Sequence, residues 1–196
     1  MDRFLPRNRL IEESSPGSLS LTVPIASIFT SYEPDSILGL NQGFRTTSDG
    51  FVVIYTDGSC LSNGNSNAKA GIGVFFGPLN CSNISERLPP MYEQTNNNAE
   101  IFAVTTAFRF CKSKSFYNIE IRTDSKFLLN CVTSHLPIWV NNGWTKTNKK
   151  PVKNRYELEE LYDEIKGCTV RWVHVPAHVD VQGNNYADFL AKMATI

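Results

Sequence analysis

The sequence has no excess of charge of either sign, because its 196 residues contain 19 Lys and Arg and 19 Asp and Glu. A chain without net charge has no overall field to attract a polyanion, so any nucleic-acid binding must come from a local patch. It also lacks an apolar run near the roughly 20 residues that a membrane span needs, although 41% of its residues are hydrophobic. These properties are typical of one globular domain that does not cross a membrane.

Cysteines are few, odd in number and scattered, and none of the five belongs to a Cys-x-x-Cys pair. This pattern favours reduced thiols in an intracellular compartment over a disulfide framework or a zinc site. We expect the nucleus or the cytoplasm. The mitochondrion stays open as an alternative, since three arginines occur among the first nine residues, but nearby acidic residues argue against a leader.

The chain divides into an extension and a folded unit. Residues 1–48 show no sustained periodicity and are rich in Ser, Pro and Gly, which predicts a flexible N-terminal extension with one short apolar segment, around Ile25–Phe29, that docks on the domain. The folded unit is predicted over residues 49–196, without internal repeats. A first Met and an end just past the last helix predict a free-standing protein.

Segments with strand-like alternation of apolar residues are followed by segments with helical spacing in the folded unit. This order predicts a mixed sheet with helices on its faces. The predicted strands are Phe51–Asp57, Ala70–Gly77, a short one within Asn83–Pro90, Tyr117–Asp124 and Cys168–Val175. The predicted helices begin at Asn96 with Thr95 or Asn96 as the cap, follow the cap Ser125, run from Asn154 to Lys166, and close the chain over Gly183–Ala194.

Two aspartates end predicted strands. Asp57 and Asp124 are each the last residue of an apolar strand and are each followed by a small residue. If the two strands are neighbours, both carboxylates emerge at the same end of the sheet. Aspartates also favour turns and caps, and for either one alone that interpretation stays open.

Two further carboxylates lie on predicted helices. Glu100 belongs to a helical row that is otherwise apolar and should face the sheet, where an unpaired carboxylate costs several kcal/mol; the alternative is a first-turn position favoured by the helix dipole. Asp188 taken alone reads as a solvated helix residue. If these carboxylates converge with Asp57 and Asp124, they need countercharge, and Mg²⁺ or Mn²⁺ suits an all-carboxylate site. Two such ions roughly 4 Å apart would clamp the attacking and leaving oxygens of a phosphodiester.

Four segments resemble, in the same order and spacing, the motifs of type 1 ribonuclease H. They are "YTDGS", "TNNNAEIFAV", "RTDSKFLL" and "HVPAHVDVQGNNYADFLA", and the resemblance covers about residues 51–195. It implies an α/β fold with a mixed five-stranded sheet flanked by helices, and a catalytic domain over residues 49–196. It also implies cleavage of the RNA strand of an RNA–DNA hybrid, leaving 5′-phosphate and 3′-hydroxyl ends.

The resemblance implies a role for each acidic residue. Asp57, Glu100, Asp124 and Asp188 correspond to the metal-binding carboxylates that hold two Mg²⁺ ions, with Mn²⁺ as a substitute, and Asp57 bridges both ions. His178 corresponds to a histidine on a mobile loop that assists the proton and product steps. Without the motif, His178 reads as an ordinary loop histidine.

The resemblance also implies contacts to an RNA–DNA hybrid. These are Ser59 and Cys60 beside the scissile region, Asn63, Asn96 and Asn97 in the minor groove, Thr95 and Asn154 at a phosphate of the DNA strand, and Trp139, Lys146, Lys149 and Lys150 in a basic protrusion over residues 139–155. Turn and cap roles for the asparagines, and a solvated face for the lysines, remain open as alternatives.

Two positions depart from the family pattern. His135 stands where vertebrate-like members have a tryptophan, and Glu93 stands where an arginine often supports the phosphate pocket. Both changes should weaken the grip on the DNA strand. Residues 1–48 lack a clear hybrid-binding domain, so we expect modest affinity and low processivity. We also expect a monomer. The alternatives are a catalytically inactive hybrid-binding module, a retroelement-derived domain and a DNA-directed nuclease of the same fold.

Overall fold

Short runs of alternating apolar residues build an eight-stranded sheet in the computed structural model, which describes residues 28–31, 37–176 and 181–196. The strands are β1 (Ile28–Ser31), β2 (Ile37–Asn41), β3 (Phe44–Thr47), β4 (Val52–Leu61), β5 (Lys69–Phe75), β6 (Ile84–Arg87), β7 (Asn118–Thr123) and β8 (Thr169–His174). The helices are α1 (Asn96–Ser113), α2 (Lys126–Asn130), a π-helical turn (Cys131–His135), α3 (Leu136–Asn141), α4 (Arg155–Ile165) and α5 (Gln182–Met193).

The predicted mixed five-stranded sheet is confirmed by the strand order β8-β7-β4-β5-β6. β4, β7 and β8 pair in parallel, whereas β5 pairs antiparallel with β4 and with β6. Antiparallel β5 can follow β4 through a short loop, but parallel neighbours need longer crossovers. The helix α1 supplies the crossover between the antiparallel strands and β7.

Three further strands come from residues 1–48. β1 overlaps the segment around Ile25–Phe29 that was predicted to dock on the domain, whereas for β2 and β3 the prediction of a flexible extension is wrong. β1 pairs in parallel with β8, β2 and β3 form a hairpin, and β3 reaches β4 through the pair Thr46↔Val52. The hairpin turns at Gln42 and Gly43, which both have positive φ. Strands of four or five residues are too short to show sustained periodicity in the sequence. Residues 1–27 and 32–36 lie outside the described residues, so the extension there stays a prediction.

Side chains on β4 alternate between the two faces of the sheet. Val52 and Ile54 join a large core that contains the inward row of α1, whereas Val53 and Tyr55 join a smaller cluster with Ala187 of α5. Each large apolar side chain that is fully buried contributes about 1.5–3 kcal/mol. Burial of both faces makes β4 a rigid strand that links the two helical layers.

Helix starts agree with the predicted caps. The Thr95 hydroxyl accepts a hydrogen bond from Asn98 N, and the Ser125 hydroxyl accepts one from Leu128 N, each at 3.3 Å. Asn154 precedes α4 in the left-handed region at φ 59°. Within the described part of the chain, none of the helices combines the length and apolar character that a membrane crossing requires.

Candidate metal site and nucleic-acid interface

Asp57 and Asp124 lie side by side because of the register of β4 and β7. The parallel pairing of these strands ends at Tyr55↔Arg122, and each aspartate lies two residues further along its own chain. Side chains two residues apart on a strand share a face. The prediction that the strand ends at Asp57 is wrong, since β4 continues to Leu61 by pairing with β5 from Asp57↔Gly73 onwards.

Glu100 reaches the same place because α1 rests directly on the backbone of β4. A Cβ built on Gly58 would lie 2.6 Å from the carbonyl carbon of Ala99 and closer still to the Glu100 nitrogen. Only a glycine allows this approach. Glu100 is not in the first turn of α1, so the dipole alternative for this residue is wrong, and its side chain is 4% exposed.

Three carboxylates therefore converge. Asp57, Glu100 and Asp124 each offer an oxygen atom, and these atoms all lie within 4.8 Å of one another. Burial, together with the charges of Asp124 and Asp188, raises the pKa of Asp57 to about 7. Burial and the charges of Asp57 and Asp124 raise the pKa of Glu100 well above its usual value. A hydrogen bond between the two side chains also raises the pKa of Glu100 and lowers that of Asp57.

The donor set of this cluster fits a divalent cation. Oε2 of Glu100 is buried and has no hydrogen-bond partner among the described residues. Carboxylates this close cannot all ionise without countercharge, and hard divalent cations prefer such oxygen ligands. The cluster therefore has the chemistry of a divalent-cation site.

Asp188 lies beside this cluster but is not one of its three members. α5 packs closely on β5, since a Cβ built on Gly73 would lie 2.7 Å from Ala191 N and closer still to the Ala187 carbonyl oxygen. Asp188 is near enough for its charge to raise the pKa of Asp57. Its half-exposed carboxylate pairs with Lys192 at 2.7 Å.

Asn184 was missed by the sequence interpretation. Its Nδ2 donates to Oδ2 of Asp124 at 3.0 Å, and its buried Oδ1 has no hydrogen-bond partner among the described residues. The signal was its position four residues before Asp188, one turn earlier on the same face of the helix. His178, in contrast, lies outside the described residues.

Most of the predicted minor-groove contacts surround the start of α1. Ser59 and Cys60 follow Asp57 on β4, where the thiol of Cys60 donates to the Gln94 carbonyl at 3.4 Å. Asn63 Oδ1 accepts a hydrogen bond from Asn96 N at 3.3 Å, which ties the loop after β4 to α1. Asn97 is half-buried in the first turn of α1.

The predicted phosphate contacts Thr95 and Asn154 are linked through Asn98, which the sequence interpretation also missed. Asn98 N donates to the Thr95 hydroxyl, and Asn98 Oδ1 accepts a hydrogen bond from Nδ2 of Asn154. The Nδ2 of Asn98 donates to the Glu93 carbonyl at 2.9 Å. Thr95 and Asn154 are thus each hydrogen-bonded to the same buried asparagine.

The basic protrusion carries exposed lysines and lines a cavity. Lys146, Lys149 and Lys150 are exposed, whereas Trp144 is 8% exposed and packs against Trp139, with ring centroids 6.4 Å apart. The burial of Trp144 shows that it packs within the protrusion. Trp139 and Lys146 line a cavity of about 550 Å³ together with His135 and Asn154, among others.

The sheet order and the carboxylate cluster define an α/β protein with a candidate divalent-cation site where β4, α1 and the end of β7 meet. The RNase H family model matches residues 49–196, so the chain belongs to the RNase H family.

Relatives of known name agree with this family. The chain is 40% identical over 141 residues to ribonuclease H1 of Rattus norvegicus, which covers 72% of the chain and 49% of that relative. It is 38% identical over 144 residues to ribonuclease H of Rickettsia felis, and this alignment covers 73% of the chain and 90% of that relative. The chain thus spans about half the length of the mammalian relatives it matches.

A solved structure also aligns along the chain. A foamy viral protease–reverse transcriptase in complex with an RNA/DNA hybrid is 25% identical, with a TM-score of 0.59, and the alignment covers 99% of this chain and 24% of that one.

Proposed function

We propose that the chain is an endoribonuclease that hydrolyses the RNA strand of RNA–DNA hybrids with two Mg²⁺ ions and leaves 5′-phosphate and 3′-hydroxyl ends. The observation that carries this proposal is the buried cluster of Asp57, Glu100 and Asp124, whose oxygens lie within 4.8 Å of one another. Family membership and the named relatives support the substrate class. The solved relative with a bound RNA/DNA hybrid supports it as well.

In this proposal the carboxylates act as ligands. Asp57 would be a ligand of both ions. Asp188 would serve the ion that activates the attacking water, and Glu100 and Asp124 would serve the other. Bound Mg²⁺ supplies a more acidic water and neutralises charge that develops on the phosphodiester. Mn²⁺ can substitute, because it accepts the same oxygen donors.

The protein positions these ligands before the cation binds. The buried Oε2 of Glu100 is free of hydrogen bonds to the described residues and is therefore available to a cation. Asn184 holds Asp124 through a single 3.0 Å hydrogen bond to Oδ2. His178 is assigned the proton and product steps by its place in the motif.

Binding of the hybrid is proposed along one surface. Ser59 and Cys60 lie beside the scissile region, while Asn63, Asn96 and Asn97 face the minor groove, where the 2′-hydroxyl distinguishes RNA from DNA. Thr95 and Asn154 hold a phosphate of the DNA strand. The protrusion adds Trp139, Lys146, Lys149 and Lys150, whose charges would neutralise phosphates.

The remaining proposals concern assembly and location. We propose a monomer, and sedimentation at several concentrations tests this. A nuclear or cytoplasmic location, with the mitochondrion as the alternative, is supported by five free cysteines. Cell fractionation tests the location.

The activity is tested with matched RNA–DNA, RNA–RNA and DNA–DNA duplexes in the presence of Mg²⁺. Cleavage confined to the RNA of the hybrid supports the proposal. Hybrid binding without cleavage would instead identify an inactive binding module, and cleavage of DNA–DNA would identify a DNA-directed nuclease.

A further inference from the structure

A buried polar pair lies directly behind the two aspartates of the metal site. Tyr55 of β4 and Arg122 of β7 are partners in register, and each precedes its aspartate by two residues on the same face. Nη1 of Arg122 donates to the Tyr55 hydroxyl oxygen at 2.9 Å, and the guanidinium lies 5.4 Å from the centroid of the tyrosine ring. Arg122 is only 1% exposed.

The guanidinium of Arg122 is fixed from its other side by paired charges. Its Nε and Nη2 contact Oε1 of Glu120 at 2.8 and 2.6 Å. Oε2 of Glu120 accepts from Nη1 of Arg171 at 3.0 Å, and Arg171 pairs with Asp49 at the edge of this network. A buried ion pair is weak evidence for stability but can fix a unique geometry. This network therefore gives the Tyr55 ring one defined position.

The ring of Tyr55 packs against the backbone of the first turn of α5. A Cβ built on Gly183 would lie 2.6 Å from the ring carbon Cζ and closer still to Cε2. Only glycine at this position lets the helix start so close to the ring. The next residue is Asn184, which donates to Asp124, and Asp188 follows one turn later.

We propose that Tyr55 is a positioning residue for the metal site. Held by Arg122, its ring sets the height of the first turn of α5 above the sheet. Asn184 can then orient the Asp124 carboxylate, and Asp188 is directed towards Asp57. Tyr55 is assigned no contact with substrate or cation. The inference rests on the proposed metal-dependent function of this site.

Gly183→Ala tests the contact between the ring and the helix. Alanine is a better helix former than glycine, so a helix without this contact would be stabilised by the change. With the contact, the added methyl group displaces the first turn. We expect the affinity for Mn²⁺, measured by calorimetry on the full chain without substrate, to fall about tenfold, as is usual when the support of a metal ligand is disturbed. The kcat for the hybrid should fall with little change in KM.

Tyr55→Phe is the second variant, because it keeps the ring and removes only the acceptor that Arg122 Nη1 uses. It should lower the Mn²⁺ affinity by a smaller factor than Gly183→Ala does. Tyr92→Phe is the matched control, since the Tyr92 hydroxyl donates to Glu160 of α4 at 2.8 Å, and its removal leaves the contacts of Tyr55 in place. The control should lose thermal stability and keep the Mn²⁺ affinity of the wild type.

The outcomes separate the two proposals. The positioning role is supported if the wild type binds Mn²⁺ and cleaves the hybrid, and if only Gly183→Ala and Tyr55→Phe bind Mn²⁺ more weakly. Unchanged Mn²⁺ affinity in both variants, or an equal loss in Tyr92→Phe, overturns the positioning role and leaves the proposed function intact. A wild type that neither binds Mn²⁺ nor cleaves hybrid overturns both.

Discussion

Gly58 and Glu100 are in direct backbone contact where β4 meets α1, with no room for a side chain on Gly58. Gly58→Ala should therefore push α1 away from the sheet and move Glu100 out of the carboxylate cluster. We expect a loss of about 1–3 kcal/mol in the free energy of unfolding, as for other overpacked sites, together with a loss of hybrid cleavage. Urea unfolding and a cleavage assay measure the two effects.

Gly167→Ala is a control for this change. A Cβ on Gly167 meets nothing within 4 Å, but its φ is +81°, so the variant should lose about 1–2 kcal/mol through backbone strain alone. Cleavage below its melting temperature should be unchanged. If Gly58→Ala keeps the stability and activity of the wild type, the contact does not position Glu100.

Asp57→Asn should abolish turnover and leave the fold intact. The variant removes a charge that burial, Asp124 and Asp188 all disfavour, so the metal-free protein should be as stable as the wild type or more stable. Cleavage rates and urea unfolding in a chelating buffer measure both quantities. Asp163→Asn, at an exposed acid that pairs with Lys166 on the surface of α4, should remain active. Turnover at wild-type rates in Asp57→Asn would remove the basis of the metal assignment.

The metal-free protein should lose stability as the pH rises from about 4 to about 7. The pKa of Asp57 is raised from 3.8 to about 7 in the folded protein, so in this window the folded state binds more protons than the unfolded state. The free energy of unfolding then falls with pH, by at most about 1.4 kcal/mol per pH unit for one proton. Urea unfolding in a chelating buffer at several pH values measures this slope.

Asp57→Asn provides the comparison for the pH dependence, because it should flatten the slope between pH 4 and 7. Stabilisation by added Mg²⁺ should grow over the same window in the wild type, since a cation competes with protons for the carboxylates. Identical slopes in the two proteins would show that Asp57 does not titrate in this range.

The convergence of Asp57, Glu100 and Asp124 could be predicted because each residue breaks a local pattern. Two polar residues follow apolar strand segments, and Glu100 interrupts an apolar helical row. Asn184 breaks no local pattern, and only its position one turn before Asp188 pointed to the site. Its contact with Asp124 depends on how α5 docks on the sheet. The pairing of Tyr55 with Arg122 depends on the register of β4 and β7, which residue patterns do not determine without the fold.

The β2–β3 hairpin is a part of the fold that the residue pattern also could not predict. Phe44 is buried in the main core, yet it lies in a strand of four residues next to a polar turn. A short segment of this kind is stabilised by tertiary contacts that alternation cannot reveal. The strands β4, β5, β7 and β8 have 10, 7, 6 and 6 residues and show strand patterns clearly, so most of the central sheet could be predicted, whereas the β2–β3 hairpin could not.

Lys149→Ala combined with Lys150→Ala should weaken binding to the hybrid and flatten its salt dependence. Each phosphate contact that is lost should reduce the slope of log K against log salt by about 0.7–0.9, so the double variant should lose up to about 1.8. Lys114→Ala combined with Lys166→Ala removes the same charge next to the C-terminal ends of α1 and α4 and should leave the slope unchanged. Equal slopes in the wild type and the protrusion variant, measured by fluorescence anisotropy, would exclude a role for these lysines.

His135→Trp should strengthen binding to the DNA strand of the hybrid. His135 is exposed, stacks on Trp139 with ring centroids 5.0 Å apart, and lines the cavity of about 550 Å³ beside the protrusion. A tryptophan would enlarge the aromatic surface there, and aromatic contacts contribute about 0.5–1.5 kcal/mol, so KM should fall roughly two- to tenfold. The kcat should not change, because the carboxylates are untouched. His135→Ala should raise KM, and a tryptophan variant with unchanged or higher KM would show that the DNA strand does not use this cavity.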